Sequence, residues 1–373
     1  MTAPGVDPRP RVGITGLGVL SACGRGPEPL LEAVLDGRAA FAPVTRFDVS
    51  GRRADTAAQL ADARSLEAEL ADVVGEAFAQ ARLDRATASQ TPVLLALHSD
   101  LRTGFVAAQV AEAIAQRHGS LGVNRIYTGA CVASSTALAD ACALIRSGRR
   151  ERVAVAAGYL VEPDTFAVFD AGRALAPDGA ARPFSKGRLG LLLGDAVVAV
   201  VLESAAAARA RGAVPIAHLA GWGSAGDAYH VCRPKPDGDG LTRAIFAALG
   251  RAGVGPQDIV YVNANATGSQ LADPAEAAAL GRVFGRLEVP VPVSSTKSVH
   301  GHGLEASALL ELAVTVLALR AGRLPVNAGF LAEDAECRLD LVLDRSRPAP
   351  PGYALSLNSA FGGANTALVV GAA

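Results

Sequence analysis

Short apolar runs alternate with longer amphipathic segments along the whole chain. Val12-Gly-Ile-Thr-Gly-Leu-Gly-Val-Leu20 reads as a buried strand entering a glycine turn. Pro27 to Leu35 reads as a helix, and so does Leu66 to Ala81, which is rich in Ala and Glu and carries an apolar stripe. Thr91 to Leu97 suits a central strand, and Gly104 to His118 a helix. Asn124 to Cys131 reads as a strand and turn that feed an Ala- and Ser-rich helix over Ser134 to Arg146. Arg152 to Gly158 and Gly194 to Glu203 read as buried strands. The second half repeats the alternation. Val214 to Gly223 is strand-like, Gly240 to Ala252 helical, and Ile259 to Asn263 a strand. Pro274 to Phe284 and the strongly apolar Ser307 to Leu319 are helical, and Leu339 to Leu343 and Tyr353 to Leu357 read as closing strands. An Ala- and Arg-rich stretch from Ser204 to Ala213 predicts a helix joining two halves. No internal sequence repeat is legible. Alternation of this kind predicts layered α/β architecture.

Composition narrows the function classes. Of 373 residues, 50% are hydrophobic and 19% charged, enough to build a sizeable core and to exclude wholesale disorder. The net charge of −1 gives no electrostatic case for a nucleic-acid binder. The longest apolar stretch, Leu191 to Leu202, is broken by Asp195 and is too short to span a bilayer. The N-terminus lacks the basic-then-apolar pattern of a secretory leader. Cys23, Cys131, Cys142, Cys232 and Cys337 are scattered without close-paired metal-ligand spacing, which fits free thiols in a reducing cytoplasm.

Four polar or glycine turns follow apolar strands, where sites of α/β proteins gather. The first holds Cys131, in Thr128-Gly-Ala-Cys-Val-Ala-Ser-Ser. A cysteine at a helix N-terminus feels the positive dipole end and free backbone N–H groups, both of which favour the nucleophilic thiolate. A small core residue is the plain alternative for a free cysteine. The second turn is Asn263-Ala-Asn-Ala-Thr-Gly-Ser269, followed by Asp273 and Glu276. The third is Ser295-Thr-Lys-Ser-Val-His-Gly-His302, followed by Glu311, and the fourth is Leu357-Asn-Ser-Ala-Phe-Gly-Gly-Ala-Asn365.

Taken in order with Ile14-Thr-Gly-Leu-Gly-Val19, Arg182-Pro-Phe-Ser185, Gly194-Asp-Ala196, Asp227-Ala-Tyr-His230 and Asp237-Gly238, these motifs resemble the β-ketoacyl synthase branch of the thiolase superfamily. The resemblance runs along nearly the whole chain, which is shorter than typical members chiefly before Thr91. It implies a five-layered αβαβα fold built from two similar βαβαβαββ halves. Residues 1–204 would carry Cys131, and residues 205–373 the Asn265, Lys297 and His302 turns. Cys131 matches the nucleophile that takes an acyl group from a carrier-protein or coenzyme A thioester. His302 matches the second catalytic histidine, Lys297 the buried lysine and Glu311 its acidic partner. Phe361, before Gly362, matches the gating phenylalanine. Asn263 and Thr267 fall in the supporting turn, and the N–H groups of Cys131 and Phe361 would form an oxyanion hole. No cofactor or metal is implied. The implied partners are an acyl carrier protein bearing a phosphopantetheine-linked acyl chain and a second subunit, in a homodimer or in a heterodimer with a ketosynthase.

The sequence also departs from the family. Where elongating members have a His-Gly-Thr-Gly-Thr turn, this chain has Asn265-Ala-Thr-Gly-Ser269, so Asn265 replaces the first catalytic histidine. Asparagine keeps a hydrogen-bond donor but cannot carry a proton. Thiolases use Cys, Asn and His but add a second cysteine in the last glycine turn, which here reads Ala360-Phe-Gly-Gly-Ala364. Leu189 stands where an acid follows the arginine, and Gly194-Asp195-Ala196 replaces Gly-Glu-Gly. Two functions follow from the resemblance. One is an acyltransferase of fatty-acid or polyketide synthesis with impaired decarboxylative elongation. The other is a chain-length-factor-like partner subunit of a ketosynthase. Arg146, Arg149, Arg150 and Arg152 form a basic run that is either a solvated turn or a carrier-protein contact. His98, His118 and His218 read as structural, whereas His230 and His300 lie near the motifs.

Overall fold

The computed structural model describes residues 12–98, 107–118 and 123–373. The extreme N-terminus and the expected helix start at Gly104 lie outside the described residues. The first half runs β1 (Val12–Ser21), α1 (Pro27–Asp36), α2 (Leu66–Gln80), β2 (Val93–Ala96), α3 (Ala107–His118), β3 (Val123–Tyr127), α4 (Ala133–Arg146), β4 (Arg152–Tyr159), α5 (Pro163–Ala171) and β5 (Ala196–Ser204). A short helix, α6 (Ala205–Ala210), leads into the second half. There follow β6 (Ala217–Gly226), α7 (Asp239–Ala252), β7 (Ile259–Asn263), α8 (Ala272–Phe284), β8 (Pro292–Ser294), α9 (Ser307–Ala321), β9 (Tyr353–Ala360) and β10 (Ala364–Ala372).

Most expected elements are present, with shifted ends. The joining helix is shorter than the Ser204–Ala213 stretch, and the Leu339–Leu343 strand shrinks to Asp340–Leu341. Strand β10 and helix α5 were not expected. Yet Thr366-Ala-Leu-Val-Val370 is a plain strand signal once Gly362 and Gly363, both at positive φ, are read as the hairpin turn before it.

The duplication hidden in the sequence is explicit in the topology. Strand order is β3-β2-β4-β5-β1 in the first half and β8-β7-β9-β10-β6 in the second. In each half the first strand pairs antiparallel with the last, the last pairs antiparallel with the fourth, and the other pairs are parallel. The halves join where Val12–Ile14 pairs antiparallel with Ala217–Leu219.

Alternation along the strands makes five layers. On β5, Val198, Val200 and Leu202 face the central core, while Val197, Ala199 and Val201 face α2 and α3. The outer face of the second half packs Leu355, Leu357, Ala367 and Val369 against α7 and α8. Helices α4 and α9 fill the middle layer. That placement explains why α9 is apolar all round and buried over every residue from Ser307 to Ala318. Among the described residues, no helix is long and apolar enough to cross a membrane.

Glycines set how closely helix meets sheet, in both halves alike. A Cβ on Gly16 or Gly18 of β1 would lie 2.1 Å from the carbonyl oxygen of Ala77 or Val73 in α2. On β6, a Cβ on Gly221 or Gly223 would lie 2.2 and 2.0 Å from the carbonyls of Ala248 and Ala244 in α7. Gly18→Ala must therefore push α2 off the sheet, and a marked fall in melting temperature is expected. Gly250→Ala on α7 meets nothing within 4 Å and should gain up to about 1 kcal/mol. Thermal unfolding of the two variants checks both signs.

Candidate active site

Cys131 and His302 occupy equivalent places in the two halves. Each sits in the turn between a parallel edge-side strand, β3 or β8, and the middle-layer helix that follows, α4 or α9. Both turns are tight enough to force a non-glycine residue to positive φ, Ala130 at 51° and Leu304 at 43°. The two turns pack against each other and bring Cys131 Sγ to 3.1 Å from His302 Nε2.

The His302 main chain is clamped by the segment before β5. His302 N–H donates to the Leu192 carbonyl at 2.8 Å, and Gly194 N–H donates to the His302 carbonyl at 3.0 Å. A Cβ on Gly194 would lie 2.0 Å from the His300 carbonyl oxygen, so this position requires glycine. The next residue, Asp195, accepts from Arg46 at 2.7 Å and from the Leu60 and Val161 N–H groups at 2.8 and 2.7 Å, anchoring that segment. The His302 ring is fixed at its other nitrogen, with Nδ1 2.8 Å from Ser307 Oγ.

Burial decides the charge state of the pair. It pushes the Cys131 thiol up to about 12, with the Glu305 charge adding to the effect and Lys297 opposing it. Burial and the positive Lys297 hold the His302 imidazole well below its ordinary value. Both shifts favour the uncharged forms, a thiol on Cys131 and a neutral imidazole on His302.

Asn265 stands at the start of the loop after β7. Its backbone N–H donates to Glu276 Oε1 at 2.8 Å. Its side-chain Oδ1 accepts from Lys297 Nζ at 3.2 Å. Lys297 Nζ in turn lies 2.5 Å from Glu311 Oε1, and Glu311 Oε2 accepts from Asn358 Nδ2 at 2.6 Å. Asp273 shapes the same loop by accepting the N–H groups of Phe184, Thr267, Gly268 and Ser269.

A cavity of about 520 Å³ opens on these groups, and Cys131, His302, Asn265, Thr267 and Phe361 line it. Lys297, Glu311 and Asn263 lie behind it, buried. Asn263 is held by the Glu311 carbonyl and the Thr296 hydroxyl, so it ties β7 to α9 rather than facing the cavity. Phe361 is 58% exposed and stacks on Phe169 with centroids 6.1 Å apart. Gly362, at φ 87°, donates its N–H to the Val231 carbonyl. Leu189, standing where an acid was expected, is on the cavity wall.

The basic run does not line this cavity. Arg146 stacks over Trp222 with its guanidinium 4.8 Å from the ring centroid and bonds the Ala220 carbonyl. Arg152 pairs with Glu203, while Arg149 and Arg150 line a separate cavity beside β3. Arg53 and Arg173, which the sequence reading passed over, line the Cys131 cavity instead. No local motif marks them. They come together because Asp170 at the end of α5 accepts the backbone N–H groups of Arg53 and Ala54. Ser307 and Asn358, the partners of His302 and Glu311, stand just after the third turn and inside the fourth. His230 is a turn organiser that accepts the N–H groups of Cys232 and Arg233, and His300 is buried against Thr296 and Gly301.

Comparison with known proteins bears on the same residues' setting. Residues 79–208 match the β-ketoacyl synthase N-terminal domain and residues 216–331 its C-terminal domain. The chain is 30% identical to the putative polyketide β-ketoacyl synthase 1 of Streptomyces cyaneus, over 96% of this chain and 97% of the relative. It is 29% identical to the 3-oxoacyl-[acyl-carrier-protein] synthase 2 of a Synechocystis strain, over the same shares. Among solved structures, the ishigamide ketosynthase/chain length factor superposes with a TM-score of 0.90 at 29% identity, covering 98% of this chain and 100% of that one. A type II polyketide synthase ketosynthase bound to the hexaketide, in complex with its acyl-carrier protein, gives 0.89 at 26% identity over the same shares.

Glu276 supplies a pH test of the Asn265 loop. Burial raises its carboxyl from 4.5 to about 8, and its Oε2 makes no hydrogen bond. The folded state therefore keeps a proton that the unfolded chain releases above 4.5. Stability should fall as pH rises from 4.5 through 8. Glu276→Gln keeps the acceptor for the Asn265 N–H and removes the titration. Denaturant unfolding from pH 5 to 8 should show a flatter stability profile for the variant, and an unchanged slope would exclude a protonated Glu276.

Proposed function

Because the chain belongs to the β-ketoacyl synthase family, we propose that it is a ketosynthase-type acyltransferase working through an acyl-Cys131 intermediate. Its donor is an acyl thioester on an acyl carrier protein or coenzyme A, in fatty-acid or polyketide synthesis. The observation that carries this reading is the 3.1 Å approach of Cys131 Sγ to His302 Nε2 at the cavity wall.

In the first half-reaction Cys131 sulfur attacks the thioester carbonyl and its proton passes to His302 Nε2. The tetrahedral oxyanion is held by the N–H groups of Cys131 and Phe361. Collapse expels the pantetheine thiolate, which takes the proton back from His302. The low basicity of buried His302 makes it a ready proton donor at that stage. Arg53 and Arg173 stand on the cavity wall, where a phosphopantetheine phosphate and the acidic carrier behind it would pair with them.

In the second half-reaction Asn265 donates a hydrogen bond to the acceptor carbonyl. A neutral amide cannot follow the charge changes of decarboxylation as an imidazole can. Decarboxylative elongation is therefore impaired in this reading, while acylation of Cys131 is not. The acceptor is a malonyl thioester used slowly, or an alcohol, amine or thiol.

A partner-subunit reading rests on the Asn265 replacement and on likeness to the ishigamide ketosynthase/chain length factor. In that reading the chain shapes the tunnel of a ketosynthase in a heterodimer, and Cys131 is dispensable. Intact-protein mass spectrometry after incubation with acyl carrier-protein and acyl-CoA thioesters separates the two. The acyltransferase reading expects an acyl mass increment on the wild type and none on Cys131→Ala. Failure of every donor to add mass, with a copurified ketosynthase that needs this chain even as Cys131→Ala, would establish the partner role instead.

A further inference from the structure

We infer that Lys297 is a positioning residue that turns the Asn265 amide so that Nδ2 faces the cavity as a donor; this rests on the proposed role of Asn265. An amide side chain has a donor end and an acceptor end of nearly the same shape. Rotated by half a turn, Asn265 would present Oδ1 to the acceptor carbonyl, and oxygen would face oxygen. Something must fix the choice. A lysine ammonium has three donors and no acceptor, so the amide atom 3.2 Å from Lys297 Nζ is Oδ1. Nδ2 then falls on the opposite side of the amide, and Asn265 lines the cavity that Cys131 and His302 share.

The lysine is itself immobile. Its Nζ is 2.5 Å from Glu311 Oε1 on α9, and Glu311 Oε2 takes the Asn358 Nδ2–H from β9 at 2.6 Å. The backbone of Asn265 is pinned independently by Glu276 at 2.8 Å. The chain Asn358–Glu311–Lys297–Asn265 thus runs from one strand, through the buried ion pair, to a single amide at the cavity. Its output is an orientation and not a proton, because a carboxamide does not titrate in the working pH range. The same geometry makes Asn265→Asp a clean reversal. Aspartate keeps the lysine contact and the shape, yet presents an acceptor where Nδ2 stood.

The test reads a bound carbonyl directly. The probe is an amide analogue of acetyl-pantetheine with a ¹³C-labelled acetyl carbonyl, followed by isotope-edited infrared spectroscopy. Wild type should lower the carbonyl stretch relative to the free probe. Asn265→Ala and Asn265→Asp should both abolish the Asn265-dependent part of that shift. Lys297→Met with Glu311→Gln removes both buried charges together, so no unpaired charge is left behind. That variant should lose most of the same part, and adding Asn265→Ala to it should cost only the small remainder, far less than Asn265→Ala costs the wild type, the non-additive signature of two residues acting as one. A wild-type shift in Lys297→Met/Glu311→Gln, or full additivity with Asn265→Ala, overturns the positioning role alone. A shift surviving Asn265→Asp, which keeps both buried charges, also overturns it. A shift untouched by Asn265→Ala overturns the donor role of Asn265 itself.

Discussion

Two helices buried between the two halves of the sheet set everything else. Helices α4 and α9 form the middle layer, and each begins in a turn that carries one member of the Cys131–His302 pair. Their packing fixes where the turns meet. Ser134 Oγ, on the second residue of α4, accepts the Leu309 N–H of α9 at 3.3 Å, a direct tie between the two helix starts. Close glycine contacts on β1 and β6 keep the outer helices tight against the same sheets. The positive φ of Ala130 and Leu304 is the local cost, of order 1–2 kcal/mol each, of bringing two turns from different halves into contact.

Burial holds Cys131 and His302 toward their uncharged forms, and Asn265 has no charge to offer. The full charges, Lys297 and Glu311, lie one layer back and neutralise each other. Desolvation explains the pattern: a lone buried charge is expensive, whereas a hydrogen-bonded pair is tolerated.

Much of this was legible in the chain, for unequal reasons. The strands and helices came from apolar runs and stripes, and Ile259–Asn263 matched to the residue. Four turns after strands located Cys131, Asn265, His302 and Phe361, because their polar and glycine residues interrupt apolar strands. The twofold repeat was not legible. It lives in strand order and in paired glycines such as Gly16 and Gly221, while the side chains around them have diverged. Arg53 and Arg173 were missed because they meet only through Asp170, more than 100 residues from Arg53 in sequence. The basic run near Arg149 clusters in sequence yet lies away from this cavity.

The account turns on a split between acylation and condensation, so both should be counted in one sample. Wild type and Asn265→His would be given an acyl donor and malonyl carrier protein, with acyl-Cys131 followed by mass and released CO₂ by isotope. The account predicts that wild type acylates fully but releases CO₂ slowly, and that Asn265→His raises CO₂ release without changing acylation. Wild-type CO₂ release that keeps pace with acyl-Cys131 consumption, and that Asn265→His leaves unchanged, would contradict it.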